Sequence, residues 1–501
     1  MKARPVPAFD WVGQHADIRP DKIALIDDGR DLEITYGELG DRVARVAAWL
    51  IAQGVGRGDR VAFLAENTTD IFEVLFACER IGAILVPLNW RLAVPELEFI
   101  VHDCTPTVLI HEPQFVAAVD SLDVPVKLSL GPSYADAKAG AEPSGVPSLS
   151  STHDDPLAIL YTSGTTGHPK GAIETIGMFF WNAVNIGSEV ELTRSSVGLN
   201  VLPTFHTGGL NLYTTPLIHL GGTSVNLRAF DPDRVLHWLT SGRITHFFAV
   251  PAVYQFLAED ERWEDADLSG VTSWACGGSA MPVALLERYA ERGIVIRQGM
   301  GLTETSPTLF LTDEEHALEK AGSVGKTAMH TEIRVVDEDG NDVAPGEIGE
   351  LWARGPNVTP GYWRRPEANE ESFTDGWLHT GDAARIDEDG YVYIVDRWKD
   401  MYISGGENVY PAEVEQVYFR HPNVVDVSVI GVPDDRWGES GLAVVVLRNP
   451  DGFDDTEFLE FGRGKLANYK LPKAVWVIDE IPRNAAGKVL KRELRERSAA
   501  R

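Results

Sequence analysis

Cysteine is nearly absent: Cys78, Cys104 and Cys276 are the three in 501 residues, an odd number with no CxxC spacing. That excludes a disulfide framework and a zinc knuckle, and it predicts three buried thiols in a reducing compartment. Positive charge is also scarce, with 45 Lys+Arg against 75 Asp+Glu and a formal net charge of -30. So acidic a surface repels phosphate backbones and anionic lipid, which argues against nucleic acid and membrane surfaces as partners. No stretch approaches the roughly 18 apolar residues of a membrane span. Met1–Trp11 has no apolar signal core, and Ser498–Arg501 carries no lipidation or peroxisomal address. The expectation is a cytoplasmic protein with no integral membrane segment. Several catalytic signatures are missing too. Gly325-Lys326-Thr327 has Lys320 where a Walker A loop needs its first glycine, and no GxSxG elbow occurs. His111-Glu112-Pro113 does not continue into HExxH, and Gly54–Gly58 is a lone glycine-rich turn without a dinucleotide fingerprint.

What is present reads as a large globular protein, with 44% hydrophobic and 24% charged residues. A chain this long exceeds one hydrophobic core and divides into subdomains. Short apolar runs (Ile23–Ile26, Val61–Ala65, Ile84–Val86, Leu157–Tyr161) predict strands, and amphipathic segments (Tyr36–Gln53, Thr69–Ile81, Pro95–Asp103) predict helices. Their alternation predicts an α/β fold whose parallel-rich sheets are layered with helices. Residues 131–153, rich in Gly, Pro, Ser and Ala, read as a surface connection. From Thr331 short β runs with turns at Glu338-Asp339-Gly340 and Glu388-Asp389-Gly390 suggest a β-rich subdomain. Residues 401–501 carry 14 Lys+Arg against 16 Asp+Glu, nearly neutral beside the acidic remainder, with basic clusters at Arg463–Lys473 and Arg483–Arg497. If any part meets a polyanion, it is this end.

The strongest local signal is Thr162-Ser163-Gly164-Thr165-Thr166-Gly167-His168-Pro169-Lys170-Gly171, directly after an apolar strand. Glycines let backbone N–H groups turn inward, hydroxyls add donors and Lys170 adds a cation, a combination suited to wrapping polyphosphate. Five further segments follow in order: Trp274–Pro282 (WACGGSAMP), Gln298–Thr305 (QGMGLTET), Trp377–Asp382 (WLHTGD), Asp396–Pro411 (DRWKDMYISGGENVYP) and Pro482–Lys488 (PRNAAGK). Together these resemble the adenylate-forming superfamily, which includes acyl- and aryl-CoA synthetases, luciferases and peptide-synthetase adenylation domains. The resemblance spans nearly the whole chain.

That resemblance implies an N-terminal domain over 1–398, including the β-rich subdomain, and a small mobile α+β domain over 399–501 hinged at Lys399. It implies ATP and Mg²⁺ as cofactors, with coenzyme A as co-substrate. Thr162, Ser163, Gly164, Thr165, Thr166, Gly167 and Lys170 would hold phosphates. Gly277, Gly278 and Ser279 would lie along adenine and the acyl group, and Gln298, Gly299, Met300 and Gly301 would pass close to a flat ligand. Thr303 would offer its hydroxyl to the α-phosphate and Glu304 an oxygen ligand to Mg²⁺. Asp382 and Arg397 would contact the ribose. Lys488 would bridge carboxylate and phosphate oxygens while charge builds up. Domain rotation would then present Ser404, Gly405 and Gly406 to the acyl-adenylate and a pantetheine thiol. His206 would stand between the acyl and pantetheine channels. Cys276 reads as a strand residue and Lys491 as a solvated cation. Ser279, Ala280, Ile176 and Trp398 depart from the usual pattern and bear on pocket shape and rotation.

The implied reaction joins a carboxylic acid to CoA through acyl-AMP, releasing AMP and pyrophosphate. Phe179, Phe180, Trp181, Phe205, Phe247 and Phe248 are apolar candidates for the acyl pocket, and favour a hydrophobic acid, first of all a medium- or long-chain fatty acid. The alternatives are an aryl acid of the cinnamate or benzoate type, or an acyl-AMP ligase loading a carrier protein. A homodimer is left open.

Overall fold

The structure, a computed structural model, describes residues 5–143, 150–162, 169–404, 407–434, 436–483 and 489–499. They form two compact units: residues 1–332 with 354–376, and residues 333–353 with 377–501.

The first unit is built on two sheets. One has six strands in the order Val126–Ser129, Val108–His111, Arg60–Leu64, Ile84–Leu88, Pro156–Thr162, Lys170–Thr175. All its pairs are parallel except the last, an antiparallel pair that ends with Thr162 opposite Lys170. The nine-stranded sheet is parallel from Ile296–Gly301 through Ser273–Cys276, His246–Ala249, Val197–Asn200 and Thr223–Asn226 to Ile23–Asp27, with antiparallel strands at both edges. Strands buried on both faces read as unbroken apolar runs, which is why the sequence marks them. Along Arg60–Leu64, Val61 and Phe63 face a core shared with the helices Tyr36–Ala52 and Asp70–Ile81, while Ala62 and Leu64 face the helix Val94–Cys104 on the other side. Ala24, Leu25 and Ile34 of the larger sheet join the same shared core, and helices Pro232–Thr240, Pro251–Glu259 and Val283–Ala290 cover that sheet's far face. The layers therefore alternate, helices and sheets, as expected. Burying a side chain of this kind stabilises the fold by about 1.5–3 kcal/mol each.

Residues 131–153 are not wholly a connection. Gly131 turns at φ +90 and Pro132 starts a helix, Pro132–Ala139, that buries Tyr134. Proline suits the first helical position, where its missing N–H has no partner to lose.

In the second unit, Gly349–Arg354, Trp377–Ile386 and Val392–Arg397 pair antiparallel, with the expected turns at Gly340 and Gly390 in left-handed backbone. A separate sheet joins Glu407–Val409, Tyr402–Ser404, Gly438–Leu447 and Val424–Asp434, and Ala474–Val477 runs parallel to Gly438–Leu447. Val429, Ala443 and Val445 face one core and Ile430, Leu442 and Val444 the other, the period of two that strand geometry demands. The β-rich segment groups with the last hundred residues in this partition, whereas the expected boundary at Lys399 concerns which parts move.

Candidate active site

In the first unit the glycine-rich loop leaves one strand and enters the next. Thr162 and Lys170 sit opposite each other at the hairpin mouth, with Thr162 Oγ1 3.4 Å from the Lys170 carbonyl. Ser163, Gly164, Thr165, Thr166 and Gly167 lie outside the described residues. The exit strand Lys170–Thr175 ends where Thr175 Oγ1 accepts from Met178 N at 3.2 Å, capping the helix Ile176–Glu189.

The segment 357–363 fastens this strand to the Thr303–Thr305 turn. Trp363 N donates to Gly171 O at 2.8 Å, Ile173 N to Gly361 O at 3.1 Å, and Thr359 Oγ1 to Ile173 O at 2.6 Å. Thr359 N donates to Glu304 O at 2.8 Å, and Tyr362 Oη donates to Glu304 Oε1 at 2.8 Å. The Lys170 ammonium stands 5.2 Å from the centre of the Tyr362 ring. Lys170 and Glu304, far apart in sequence, thus share one tyrosine between them. Thr303 and Glu304 are half-buried, so their side chains remain open to a ligand.

Buried amides hold the turn from behind. Asn211 Nδ2 donates to both Ser306 O and Ser306 Oγ at 2.8 Å, and Asn357 Nδ2 donates to Thr305 O at 3.1 Å and Thr308 O at 3.0 Å. Asn182 Nδ2 donates to Asn211 O at 2.7 Å. Glu174 joins them: it is fully buried, and its Oε2 accepts from Ser306 Oγ at 3.1 Å. Burial pushes the Glu174 carboxyl up to about 8, against the Ser306 and Thr207 hydroxyls and with the Glu304 charge adding to the rise. Thr207 is close enough to favour the ionised form, yet Thr207 Oγ1 and Glu174 Oε1 each lack a partner in hydrogen-bond geometry. Sequence reasoning passed over Glu174 and the asparagines. A charged residue in a strand reads as solvent-facing, and asparagines scattered over 175 positions carry no spacing signal.

The Gly277-Gly278-Ser279 turn follows the strand Ser273–Cys276. Gly278 has φ +80 with nothing nearer its absent Cβ than Val250 Cγ1 at 3.3 Å, and Ser279 is exposed, so this backbone is open to a flat ligand. Gln298 is buried in its strand and accepts from Met281 N through Oε1 at 3.3 Å, which holds that turn. Gly299 and Gly301 are required by the protein's own backbone, since a Cβ on Gly301 would meet Pro307 O at 1.9 Å and one on Gly299 would meet Phe310 O at 2.8 Å. Met300 between them is half-buried. Cys276 is inert as expected, its thiol pushed up to about 12 by burial, and all three cysteines are free and buried.

His206 precedes a π-helical turn, Gly208–Leu212. Burial, then the charge of Arg91, lower it to about 4, so the imidazole is neutral, and its buried Nε2 has no partner. Of the aromatic candidates, Phe179 and Phe247 belong to the packed cores, Phe247 against Tyr254 and Trp274. Phe248, on the opposite face of that strand, stacks edge-on to Tyr213 with centroids 5.9 Å apart. Its Cζ lies 2.9 Å from where a Gly277 Cβ would be, so it borders the open turn.

In the second unit Asp382 and Arg397 are cross-strand neighbours, with Arg397 Nη1 3.0 Å from Asp382 Oδ1. Asp396 accepts from Ala412 N at 2.7 Å, near the start of the helix Pro411–Tyr418, and burial raises its carboxyl. Lys491 is not solvated. Its side chain, 12% exposed, pairs with Glu415 at 2.9 Å, because the helix Lys491–Ala499 brings it to a partly buried carboxylate. Arg495 on that helix pairs with Asp400 at 2.9 Å. The basic clusters are likewise occupied, Lys470 by Glu413 and Arg483 by Asp426. Ser404 is buried at a strand end. Gly405, Gly406 and Lys488 lie outside the described residues, as does the side chain of Lys399.

Among the described residues no three His, Cys, Asp or Glu cluster to hold a metal by themselves. A lone half-exposed Glu304 fits Mg²⁺ arriving with phosphate oxygens, the usual manner of this reluctantly dehydrated ion. No helix among them is long and apolar enough to cross a membrane.

Residues 12–363 match the family model for AMP-binding enzymes, and residues 413–488 the model for the C-terminal domain of AMP-binding enzymes. The chain is 45% identical over 487 residues to a feruloyl-CoA synthase of Amycolatopsis, covering 97% of this chain and 98% of that protein. It is 36% identical over 493 residues to a long-chain-fatty-acid–CoA ligase of Mycobacterium tuberculosis, at 97% of each. An o-succinylbenzoate coenzyme A synthetase of Bacillus subtilis, solved with ATP and magnesium ion, is 33% identical with a TM-score of 0.88, covering 98% of this chain and 99% of that one.

Proposed function

The chain belongs to the AMP-binding enzymes, and from that premise we propose that it activates an aromatic carboxylic acid as acyl-AMP and passes the acyl group to coenzyme A. The enzyme is an AMP-forming acid–thiol ligase. The observation that carries the site is the Lys170–Tyr362–Glu304 arrangement, which places a cation and a carboxylate about one tyrosine beside the loop. Bound Mg²⁺ would supply a Lewis acid for the phosphates, and Glu304 would hold it. Lys170 and the loop residues Thr162–Gly167 would bind phosphate oxygens. The Gly277–Ser279 turn would take the adenine and acyl group, and Thr303 the α-phosphate.

The carboxylate attacks the α-phosphate, one P–O bond forms, and the bond to pyrophosphate breaks. Lys488 would neutralise the oxygens that gain charge in that step. Asp382 and Arg397, already paired, would accept from and donate to the ribose hydroxyls. Rotation at Lys399 would then bring Ser404–Gly406 to the adenylate, where the CoA thiol attacks the acyl carbon and AMP leaves. His206, neutral and with a bare Nε2, would accept a hydrogen bond from the incoming thiol and orient it, the thiol proton passing to solvent.

An aryl acid replaces the fatty acid that apolar composition alone puts first. The 45%-identical relative is named for feruloyl-CoA and the 36%-identical one for long-chain fatty acids. Phe248, half-buried beside the open turn and packed edge-on against the buried Tyr213, supplies a flat aromatic face, which suits a ring through edge and stacking contacts. AMP release with ATP, Mg²⁺ and CoA over a panel of cinnamates, benzoates and fatty acids tests this reading. Higher kcat/KM for the cinnamates is expected. Preference for fatty acids would reverse it, and turnover indifferent to CoA would indicate a carrier-protein loader.

A further inference from the structure

The inner face of the strand Lys170–Thr175 holds a group that the reaction above does not use. Glu174 is 0% exposed, and it lies opposite Ala158 in a register flanked by uncharged Leu157 and Ile159. Burying a carboxyl is costly, and an apolar residue of the same size would fill this space without that cost. Its contacts explain what it does. Ser306 accepts from Asn211 at both its carbonyl and its hydroxyl, so the hydroxyl's single proton goes to Glu174 Oε2. Ser306 ends the Thr303–Thr305 turn at φ +60, left-handed backbone that a non-glycine residue holds only with outside support. Glu304 lies two residues earlier, and Thr359 N and Tyr362 Oη hold it from the other side.

We infer that Glu174 is a positioning residue for adenylation: by accepting the Ser306 hydroxyl's hydrogen bond it fixes the Thr303–Ser306 turn, and with it the Glu304 carboxylate, where the metal–nucleotide would bind. This rests on the role given to Glu304 above. Thr207, next to His206, stands beside the same carboxyl, so Glu174 sits between the His206 segment and the Glu304 turn. The Glu304 carboxylate is the charged group facing it.

The test compares Glu174→Leu, Glu174→Gln and Ser306→Ala. Four readouts are needed: ATP binding by calorimetry at graded Mg²⁺ without acid, KM and kcat for acid-dependent pyrophosphate exchange, conversion of supplied acyl-AMP to acyl-CoA, and thermal unfolding. Glu174→Leu is expected to weaken Mg²⁺-dependent ATP binding and raise KM for ATP about tenfold, with conversion of supplied acyl-AMP to acyl-CoA intact. Glu174→Gln, whose amide oxygen still accepts from Ser306, should stay within about threefold. Ser306→Ala keeps the same backbone strain and should repeat the leucine result, and it decides the matter if Glu174→Leu does not fold. ATP binding within about twofold of wild type in both, or Glu174→Gln failing as badly as leucine, overturns the inference. Glu304→Gln separates the two levels. If it leaves Mg²⁺-dependent ATP binding untouched, the role of Glu304 falls. If it weakens binding while Glu174→Leu does not, only the role of Glu174 falls.

Discussion

The turn carrying Glu304 and the stretch from Asp396 to Ser404 are secured by different kinds of bond. Behind Glu304 stand Asn211 and Asn357, which donate to backbone carbonyls, and Glu174, which accepts from Ser306 Oγ, all three buried and all at 2.8–3.1 Å. Around the second stretch one tie is a partly exposed ion pair, Arg495–Asp400 with side chains 35% and 22% exposed, beside the buried Asp396 that accepts from Ala412 N. Buried hydrogen bonds are lost only with a full desolvation penalty, so they suit a geometry that must not change. Exposed ion pairs exchange with water at little cost, so they suit a segment that must let go. On the function proposed above, the turn would be a rigid seat for ATP and the stretch a releasable arm for the second step.

The sharpest way to break this comparison is Lys488→Ala. A single charge-stabilising donor is worth about 10²–10³-fold in rate. Adenylation should fall by about that much, while supplied acyl-AMP is still converted to acyl-CoA, because the arm has then moved Lys488 away. Pyrophosphate exchange and thioester formation, measured separately, check it. Equal loss of both half-reactions would mean that one fixed arrangement serves both, and the contrast between seat and arm would be lost.

The seat can be tested through pH. His206 is lowered to about 4 by burial, whereas an unfolded histidine titrates near 6.5. The neutral ring is favoured in the fold, so its full contribution is present above 6.5 and is lost as pH falls through 4. His206 should account for about 2–3 kcal/mol of the stability lost, so His206→Phe should lose that much less than wild type, while the share of His219, also lowered to about 4, remains. Urea unfolding at pH 7 and pH 4.5 measures it. An unchanged pH slope in the variant would place His206 in water.

Asn211→Leu tests the buried amides. It leaves Ser306 O without its donor and removes the acceptor of Thr215 Oγ1, two unsatisfied groups in a closed interior. A stability loss of about 2–3 kcal/mol is expected, with weaker ATP binding alongside. A loss under about 0.5 kcal/mol would show that water substitutes for the amide, and that the seat is wetter than its burial indicates.

Much of the fold is legible in the chain because buried parallel strands declare themselves as apolar runs. Leu157–Tyr161 could be placed by composition alone. Pro132–Ala139 could not: its proline and small residues read as linker, and only Gly131's turn and Tyr134's burial make it a helix. The site divides in the same way. Glycines, hydroxyls and Lys170 cluster within ten positions and carry a recognisable spacing. Glu174, Asn211 and Asn357 act through partners 95 or more positions away or through backbone carbonyls, and no local pattern announces that. Lys491 was misread for a related reason, since the carboxylate it meets, Glu415, lies 76 residues earlier. Motif spacing names groups that touch a ligand, and it is silent about groups that hold them.

The smallest expected effect is the most informative about the arm. Arg495→Ala removes the partner of Asp400, in the turn Trp398–Asp400 that contains the proposed hinge. The pair is partly exposed, so global stability should change by no more than about 1 kcal/mol. The ratio of the two half-reactions should move instead, by about two- to fivefold, because the pair restrains the dihedrals that rotation must change. Rates of adenylate formation and thioester formation, each from a single turnover, measure that ratio. Raising salt in wild type should move it in the same direction, since screening weakens an exposed pair and leaves the buried amides of the seat alone. If Arg495→Ala shifts stability and leaves the ratio fixed, the pair is a staple of the helix Lys491–Ala499, and the arm is held elsewhere.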